Sequence, residues 1–424
     1  MKNIRVSDNR RFLVQQDGSP FFYLGDTAWE LFHRLTREES VLYLKDRAAK
    51  KFTVIQAVLL SEFGLNSPNA NGDVPLLNNN PATPNEKYFQ HVDFIVNTAN
   101  ELGMMIGMLP TWGDKWFQSY GLGPEIFTPE NAAVYGEWLG KRYRDSSIIW
   151  ILGGDRPIET ETHRAIIEAT ATGLKAGDGE RHLMTFHPKN SESSSQYFQN
   201  AAWLDFNMLQ SGHHGIDVPN DEMIARDYAA RPIKPCLDAE PCYENHPVKT
   251  PGWRERDDRF GDYDARKAAY RALFAGAFGH TYGCHDIWMF WEPDGDFGNH
   301  VGNTIWTKAL QFPGAGQMQY ARALLESKPF LSRIPDQSLI LESDSTLYAT
   351  RDETNTYALI YFPKKAAATI DLRMFSGQPV RASWFDTRDG SVQEMGNINA
   401  AQQEFQSPAT KVEEDWVLVL DKIE

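Results

Sequence analysis

The stretch Ile148-Ile149-Trp150-Ile151-Leu152-Gly153-Gly154-Asp155-Arg156-Pro157 decides the fold. Five large apolar residues in a row leave no polar face, so a strand over 148–152 is buried on both sides, as parallel strands under helices are. The run then stops at two glycines and a charged pair. Seven other short apolar runs share this character: 21–24, 53–59, 104–109, 182–186, 206–209, 234–237 and 281–285. Amphipathic segments separate them, and several carry helix start signals. Thr36 with Glu39 makes a capping box ahead of 41–49, and Thr128-Pro129 is an N-cap with Pro at the first helical position. Asp262 or Asp264 opens a helix through 277, and 314–327 reads as the last of the series.

Eight strands alternating with helices predict an α/β fold, a (β/α)8 TIM barrel. An open doubly wound sheet is the competing arrangement, but no phosphate-binding glycine fingerprint follows the first run. After Lys328-Pro329-Phe330 the helical period disappears. Short strands with turn signals follow at 338–341, 346–349, 357–361, 369–372, 380–385 and 416–420, with the turn Arg388-Asp389-Gly390 among them. The chain therefore divides into a barrel over 1–330 and a C-terminal antiparallel β-sandwich over 331–424. Tyr357, Tyr361 and Trp384 fit core positions of the latter, which points to a bracing role. The Asn- and Pro-rich loop 66–84 follows the second strand, so it sits over the barrel mouth as the longest irregular insertion.

Composition narrows the function. The 424 residues carry a net charge of −15, which argues against nucleic acid and anionic membranes as partners. Three cysteines (Cys236, Cys242, Cys284) make a disulfide framework unexpected. The first residues, Met1-Lys2-Asn3-Ile4-Arg5-Val6, hold no apolar signal core, and no apolar run is long enough for a bilayer. As written, the chain reads as cytoplasmic. Trimming of an export leader, for a periplasmic or secreted protein, would leave the same sequence.

Barrel chemistry sits at the C-terminal strand ends. Those ends hold Asp26 and Trp29 after strand one, and Trp112, Asp114, Lys115 and Trp116 after strand three. Asp155 and Arg156 follow strand four, His187 strand five, Gln210 and His213 strand six, Glu240 strand seven, and Trp288 and Trp291 strand eight. A rim of carboxylates, tryptophans and histidines suits an oligosaccharide or polysaccharide substrate. Glycosidic cleavage needs one carboxyl to protonate the leaving oxygen and a second to attack carbon or activate water. Asp155 and Glu240 are the predicted pair, on strands that face each other across the mouth. Trp112, Trp116, Trp288 and Trp291 would stack on sugar rings, and Asp26, His187 and His213 would bond hydroxyls. Lys115 or Arg156 would pair with a uronate.

His187, His213 and His214 could bind zinc, but neither H-E-x-x-H nor Cys-x-x-Cys spacing occurs, so no metal and no cofactor is expected. Cys236 and Cys242 flank Glu240 without a thiolate-activating partner and read as buried small residues. A non-catalytic carbohydrate-binding protein would keep the aromatic rim yet need neither carboxylate.

The segments Gly25-Asp26-Thr27-Ala28-Trp29-Glu30-Leu31-Phe32, Met108-Leu109-Pro110-Thr111-Trp112-Gly113-Asp114-Lys115-Trp116 and Ile149-Trp150-Ile151-Leu152-Gly153-Gly154-Asp155-Arg156 resemble the apiosidase-like glycoside hydrolases, family 140. The likeness runs from Val6 to about Lys328, and the tail resembles the small domain that usually follows. The resemblance implies a (β/α)8 barrel and retaining chemistry, with Asp155 as acid/base and Glu240 as nucleophile. In the wider clan the acid/base is usually a Glu preceded by Asn; here Asp155 follows Gly154. The family's activity implies release of apiose-linked units from the pectin rhamnogalacturonan II. A glycosidase for another sugar, such as arabinofuranose, is the alternative.

Overall fold

The computed structural model describes residues 3–213, 215–250, 254–298, 300–399, 401–411 and 413–423. Eight parallel strands form the barrel wall: β1 (Tyr23–Thr27), β2 (Val54–Val58), β3 (Met105–Leu109), β4 (Ile148–Gly153), β5 (Met184–His187), β6 (Asn207–Gln210), β7 (Cys236–Asp238) and β8 (Gly279–Tyr282). Each matches one predicted run, and every residue in them is buried. Consecutive strands pair in parallel from β1 to β5 and from β6 to β8, and β8 returns to β1 through Gly279↔Tyr23 and Thr281↔Gly25. The seam between β5 and β6 lacks a regular ladder. Asp205 N donates to Met184 O at 2.9 Å and Thr185 Oγ1 to Phe206 O at 2.7 Å, which holds it shut. The expected barrel is therefore present, and the open sheet is not.

Helices cover the outside as the capping signals predict. Arg37–Ala49 starts at the Thr36–Glu39 capping box, and Pro129–Tyr143 starts at Thr128 with Pro at its first position. Asp262–Phe274 and Pro313–Glu326 fill the other two expected places. Inside the barrel, Tyr23 packs edge-on to Phe278, and its hydroxyl donates to Gln56 Oε1 at 3.0 Å. Gln56 Nε2 in turn reaches Ala239 O across the lumen at 3.2 Å. A polar strut thus ties β2 to the chain just below Glu240.

Side chains alternate along a strand, so with Tyr23 inside, Asp26 faces the helices. It is fully buried, its Oδ2 lies 2.5 Å from Arg47 Nε, and it accepts the Tyr43 hydroxyl. Asp26 was expected to bond a sugar hydroxyl at the mouth. The structure corrects this: β1 runs to Thr27 rather than ending at residue 24, and the carboxylate is enclosed in a wall-to-helix ion pair.

The loop 66–84 does follow β2. Its Ser67 O and Ala70 N are bound by His33 of the β1 loop. The excursion after β7, 239–261, is partly regular and contains the hairpin Pro247–Thr250 with Arg254–Arg259. That hairpin is charged rather than apolar, so it left no strand signal in the sequence.

From Arg333 onward the chain forms two antiparallel sheets, one of six strands and one of three. They share a core that includes Phe362, Phe405 and Trp384. All six strands predicted there are present, shifted by a residue or two in most cases. Val392–Ile398 and Gln402–Gln406 complete the sandwich; most of their residues are exposed, so their sequence lacks an apolar alternation. The sandwich is seated on Asp262–Phe274. Tyr361 stacks on Tyr270 with ring centroids 4.9 Å apart, and Arg266 Nη2 meets buried Asp415 at 2.8 Å. Among the described residues no helix is long and apolar enough to cross a membrane.

Removing one partner of a buried ion pair costs about 3–5 kcal/mol. Asp26→Ala should lose that much stability in urea unfolding, and a loss under about 1 kcal/mol would contradict the assignment. Deleting 337–424 strips Asp415 from Arg266 and uncovers Tyr270. The truncated barrel should melt well below the full chain, and an unchanged melting temperature would remove the bracing role.

Candidate active site

The turn after β4 sets the first carboxylate. Gly153 and Gly154 have φ of 95°, and Asp155 follows at 58°. A Cβ on Gly153 would lie 2.3 Å from His187 O, and one on Gly154 2.8 Å from Gly113 N. Only glycine fits both the angle and the space. Gly154 is thus fixed by the close approach of the β3 loop. Asp155 itself holds a left-handed conformation that costs a non-glycine residue about 1–3 kcal/mol. Its backbone oxygen is held by Arg156 Nη1 at 2.7 Å. The Tyr120 hydroxyl lies 2.8 Å from Oδ2 and 2.7 Å from the same backbone oxygen. The Asp155 side chain stays 19% exposed, so it opens to the mouth.

Glu240 comes two residues after β7. Ala239 N donates to Leu209 O at 2.8 Å, and Gln56 grips Ala239 O, so the backbone under the carboxylate is fixed. His213 Nε2 lies 3.1 Å from Oε1 and His187 Nε2 3.0 Å from Oε2. The second contact has ion-pair distance but not hydrogen-bond direction, which leaves Oε2 without a hydrogen-bond partner. The Tyr243 hydroxyl sits beside the same carboxylate, and its ring packs 4.1 Å from that of His213.

The two carboxyls are pushed in opposite directions. Burial and the charge of Glu240 raise Asp155 to about 6, against the pull of Arg156, Tyr120 and His187. Burial also works to raise Glu240, but His187 and His213 outweigh it and hold the group down at about 2. A carboxyl that titrates near 6 can supply a proton while its neighbour, ionised above about 2, stays an anion.

The other predicted residues divide into two groups. Trp29 and Trp112 gather round His187, with ring centroids 5.4 Å and 6.3 Å from it, so they wall the chamber that holds Glu240. Gln210 ends β6 with a buried, unpartnered Oε1. Trp288 lies flat on Phe63 at 5.9 Å, with His300 edge-on to it. Of the remaining residues, all but the half-buried Trp291 are occupied elsewhere. Trp116 is buried behind the β4 turn and donates to Gly153 O at 3.0 Å, so it cannot stack on a sugar. Trp291 packs against Phe297. Asp114 and Lys115 are fully buried and paired at 2.6 Å, and Asp114 also accepts Gly123 N. Arg156 is fully buried, and its guanidinium donates to Phe117 O, Tyr120 O and Asp155 O. Neither cation is free for a uronate, because the short helix Gly113–Lys115 folds back under the rim and encloses both.

Three residues carry the site that spacing did not single out. Tyr120 and Tyr243 come from irregular loops with no periodic signal. Glu30, fully buried, accepts Ser61 Oγ at 2.8 Å and His33 Nδ1 at 3.0 Å, and so joins the β1 and β2 loops under the chamber. His214 lies outside the described residues. Among the described residues no three His, Cys, Asp or Glu side chains are grouped to hold a metal ion. Cys236 and Cys284 are buried and Cys242 is partly covered; burial pushes all three thiols above their ordinary range.

Comparison with known proteins returns glycoside hydrolases. A solved glycoside hydrolase is 34% identical, with 99% of this chain and 97% of that one aligned at a TM-score of 0.90. A glycoside hydrolase family 5 structure from Bacteroides vulgatus ATCC 8482 is 32% identical over 99% and 93% of the two chains, at a TM-score of 0.91. A family 5 mannosidase from Rhizomucor miehei, 14% identical over 77% of this chain and 99% of that one, shares the fold at a TM-score of 0.54. Comparison with curated proteins returns no match. A family model named for collagen binding in a collagenase matches 334–421. The model described as "Apiosidase-like, catalytic domain" matches 7–332, and this places the chain in the apiosidase-like family, as a glycoside hydrolase with a carbohydrate substrate.

Proposed function

We propose that this glycoside hydrolase cleaves with retention, using Glu240 as nucleophile and Asp155 as acid and then base. In the first step Glu240 Oε2 attacks the anomeric carbon. The glycosidic C–O bond breaks, and the Asp155 proton passes to the leaving oxygen. In the second, ionised Asp155 takes a proton from water, the water oxygen attacks the same carbon, and Glu240 departs as carboxylate. The opposed displacement of the two carboxyls carries the assignment of acid and anionic partner, and family membership supports retention. An attacking group must be ionised and an acid must keep its proton, and between about pH 2 and pH 6 each group is in the state its role needs.

The substrate we infer is an apiose-linked unit of a pectin-type oligosaccharide or polysaccharide. Family membership supports it. So does the enclosure of Lys115 and Arg156, whose charges are met internally. The ring seated against Glu240 is then a neutral sugar rather than a uronate.

Activity on apiosides, arabinofuranosides and pectin oligosaccharides tests the assignment. Glu240→Ala should abolish turnover, and Asp155→Ala should lower kcat about 10²–10⁴-fold. The free enzyme needs Asp155 protonated, so kcat/KM should fall as pH rises through about 6. Glu240 must be ionised, and that condition holds at all pH above about 2. Proton NMR should show the product first in the anomeric form of the substrate. Undiminished hydrolysis by both variants would refute the pair, an inverted product would refute retention, and preference for arabinofuranosides would reassign the sugar.

A further inference from the structure

Tyr120 is unusual among the aromatics of the mouth. It is 46% exposed, so hydrophobic burial does not hold it in place. Two polar contacts do. The Arg156 guanidinium lies over its ring at 3.5 Å from the centroid, and the hydroxyl turns inward onto Asp155. Arg156 also donates to Phe117 O and Tyr120 O, which clamps the loop that carries the ring. A phenol at the surface can satisfy its hydroxyl with water; here it faces a carboxylate at 2.8 Å instead.

We propose that Tyr120 is the positioning residue of the acid/base: it pins Asp155 Oδ2, so that Oδ1 carries the transferred proton. The inference rests on the role given to Asp155 above. The hydroxyl has one proton and two acceptors within reach, Oδ2 and the Asp155 backbone oxygen. When Asp155 is ionised, the proton goes to Oδ2, the stronger acceptor. When the carboxyl is protonated on Oδ1, Oδ2 accepts more weakly, and the backbone oxygen can share the donor. The contact therefore survives both protonation states through which the carboxyl cycles. No hydrogen bond from a described residue reaches Oδ1, which is left for the leaving oxygen.

A donor on Oδ2 favours the ionised form, so removing it raises the Asp155 pKa further. The other groups facing Asp155 stay in place: Glu240 raises it, and Arg156 and His187 lower it. Glu62 lies beside Tyr120 and acts on the phenol.

Tyr120→Phe keeps the ring over Arg156 and removes only the hydroxyl. Two readouts follow Asp155 in it: a carbon-13 carboxyl titration, assigned by Asp155→Asn, and the kcat/KM–pH profile on 4-nitrophenyl apiofuranoside. Loss of one charge-assisted hydrogen bond should move both upward by about one pH unit. The kcat should fall about tenfold, with KM within about twofold. An unmoved carboxyl titration overturns the proposal, even if activity falls. A titration that moves while the activity profile does not upholds the contact and removes Asp155 as acid/base. The two claims therefore fail separately.

Discussion

The site depends on one electrostatic constraint: Glu240 is buried and yet must stay ionised. Two imidazoles, from β5 and from the loop after β6, meet its two oxygens and make that possible. The charge so fixed then acts on its neighbour. It helps to raise Asp155 to about 6, so that one acid is kept ready because the other is held as an anion. Both settings come from strand ends, and strand ends keep their relation only if the barrel is closed.

Closure and the turn after β4 are linked. The left-handed sequence Gly153-Gly154-Asp155 brings the backbone against Gly113 of the β3 loop and His187 of β5. Trp116 Nε1 bonds Gly153 O from behind. The buried tryptophan is therefore a brace for the turn that carries Asp155 rather than a sugar platform. Asp114, Lys115 and Arg156 work at the same level, holding the β3 loop to the β4 turn. On the far side, the sandwich seats Tyr361 and Asp415 on Asp262–Phe274, the helix that precedes β8.

Much of this was legible in the sequence, for physical reasons. Strands buried on both faces tend to be apolar runs, so all eight barrel strands left a signal, although β8, Gly-His-Thr-Tyr, is overlapped at only two residues. Asp155 and Glu240 stood out because each follows such a run. Asp26 was misread through a strand-end error of three residues, enough to turn a helix-facing side chain into a mouth residue. Lys115, Trp116 and Arg156 lie in the right loops, but a short helix folds them inward, and no local spacing encodes that. Tyr120 and Tyr243 are supplied by irregular loops, where position follows from tertiary contacts alone. The hairpin 247–259 and the strand Val392–Ile398 are polar, and alternation of apolar residues cannot reveal them.

In the proposed mechanism Glu240, held as an anion by His187 and His213, forms a covalent bond to the sugar. The most direct measurement is peptide mapping by mass spectrometry after treatment with an activated 2-fluoro-apiofuranoside, which slows the second step and traps the first product. A single glycosyl adduct on Glu240, absent after Glu240→Ala, is the predicted result. An adduct on any other residue, or steady turnover of natural substrate with no trapped species and an inverted product, would contradict it.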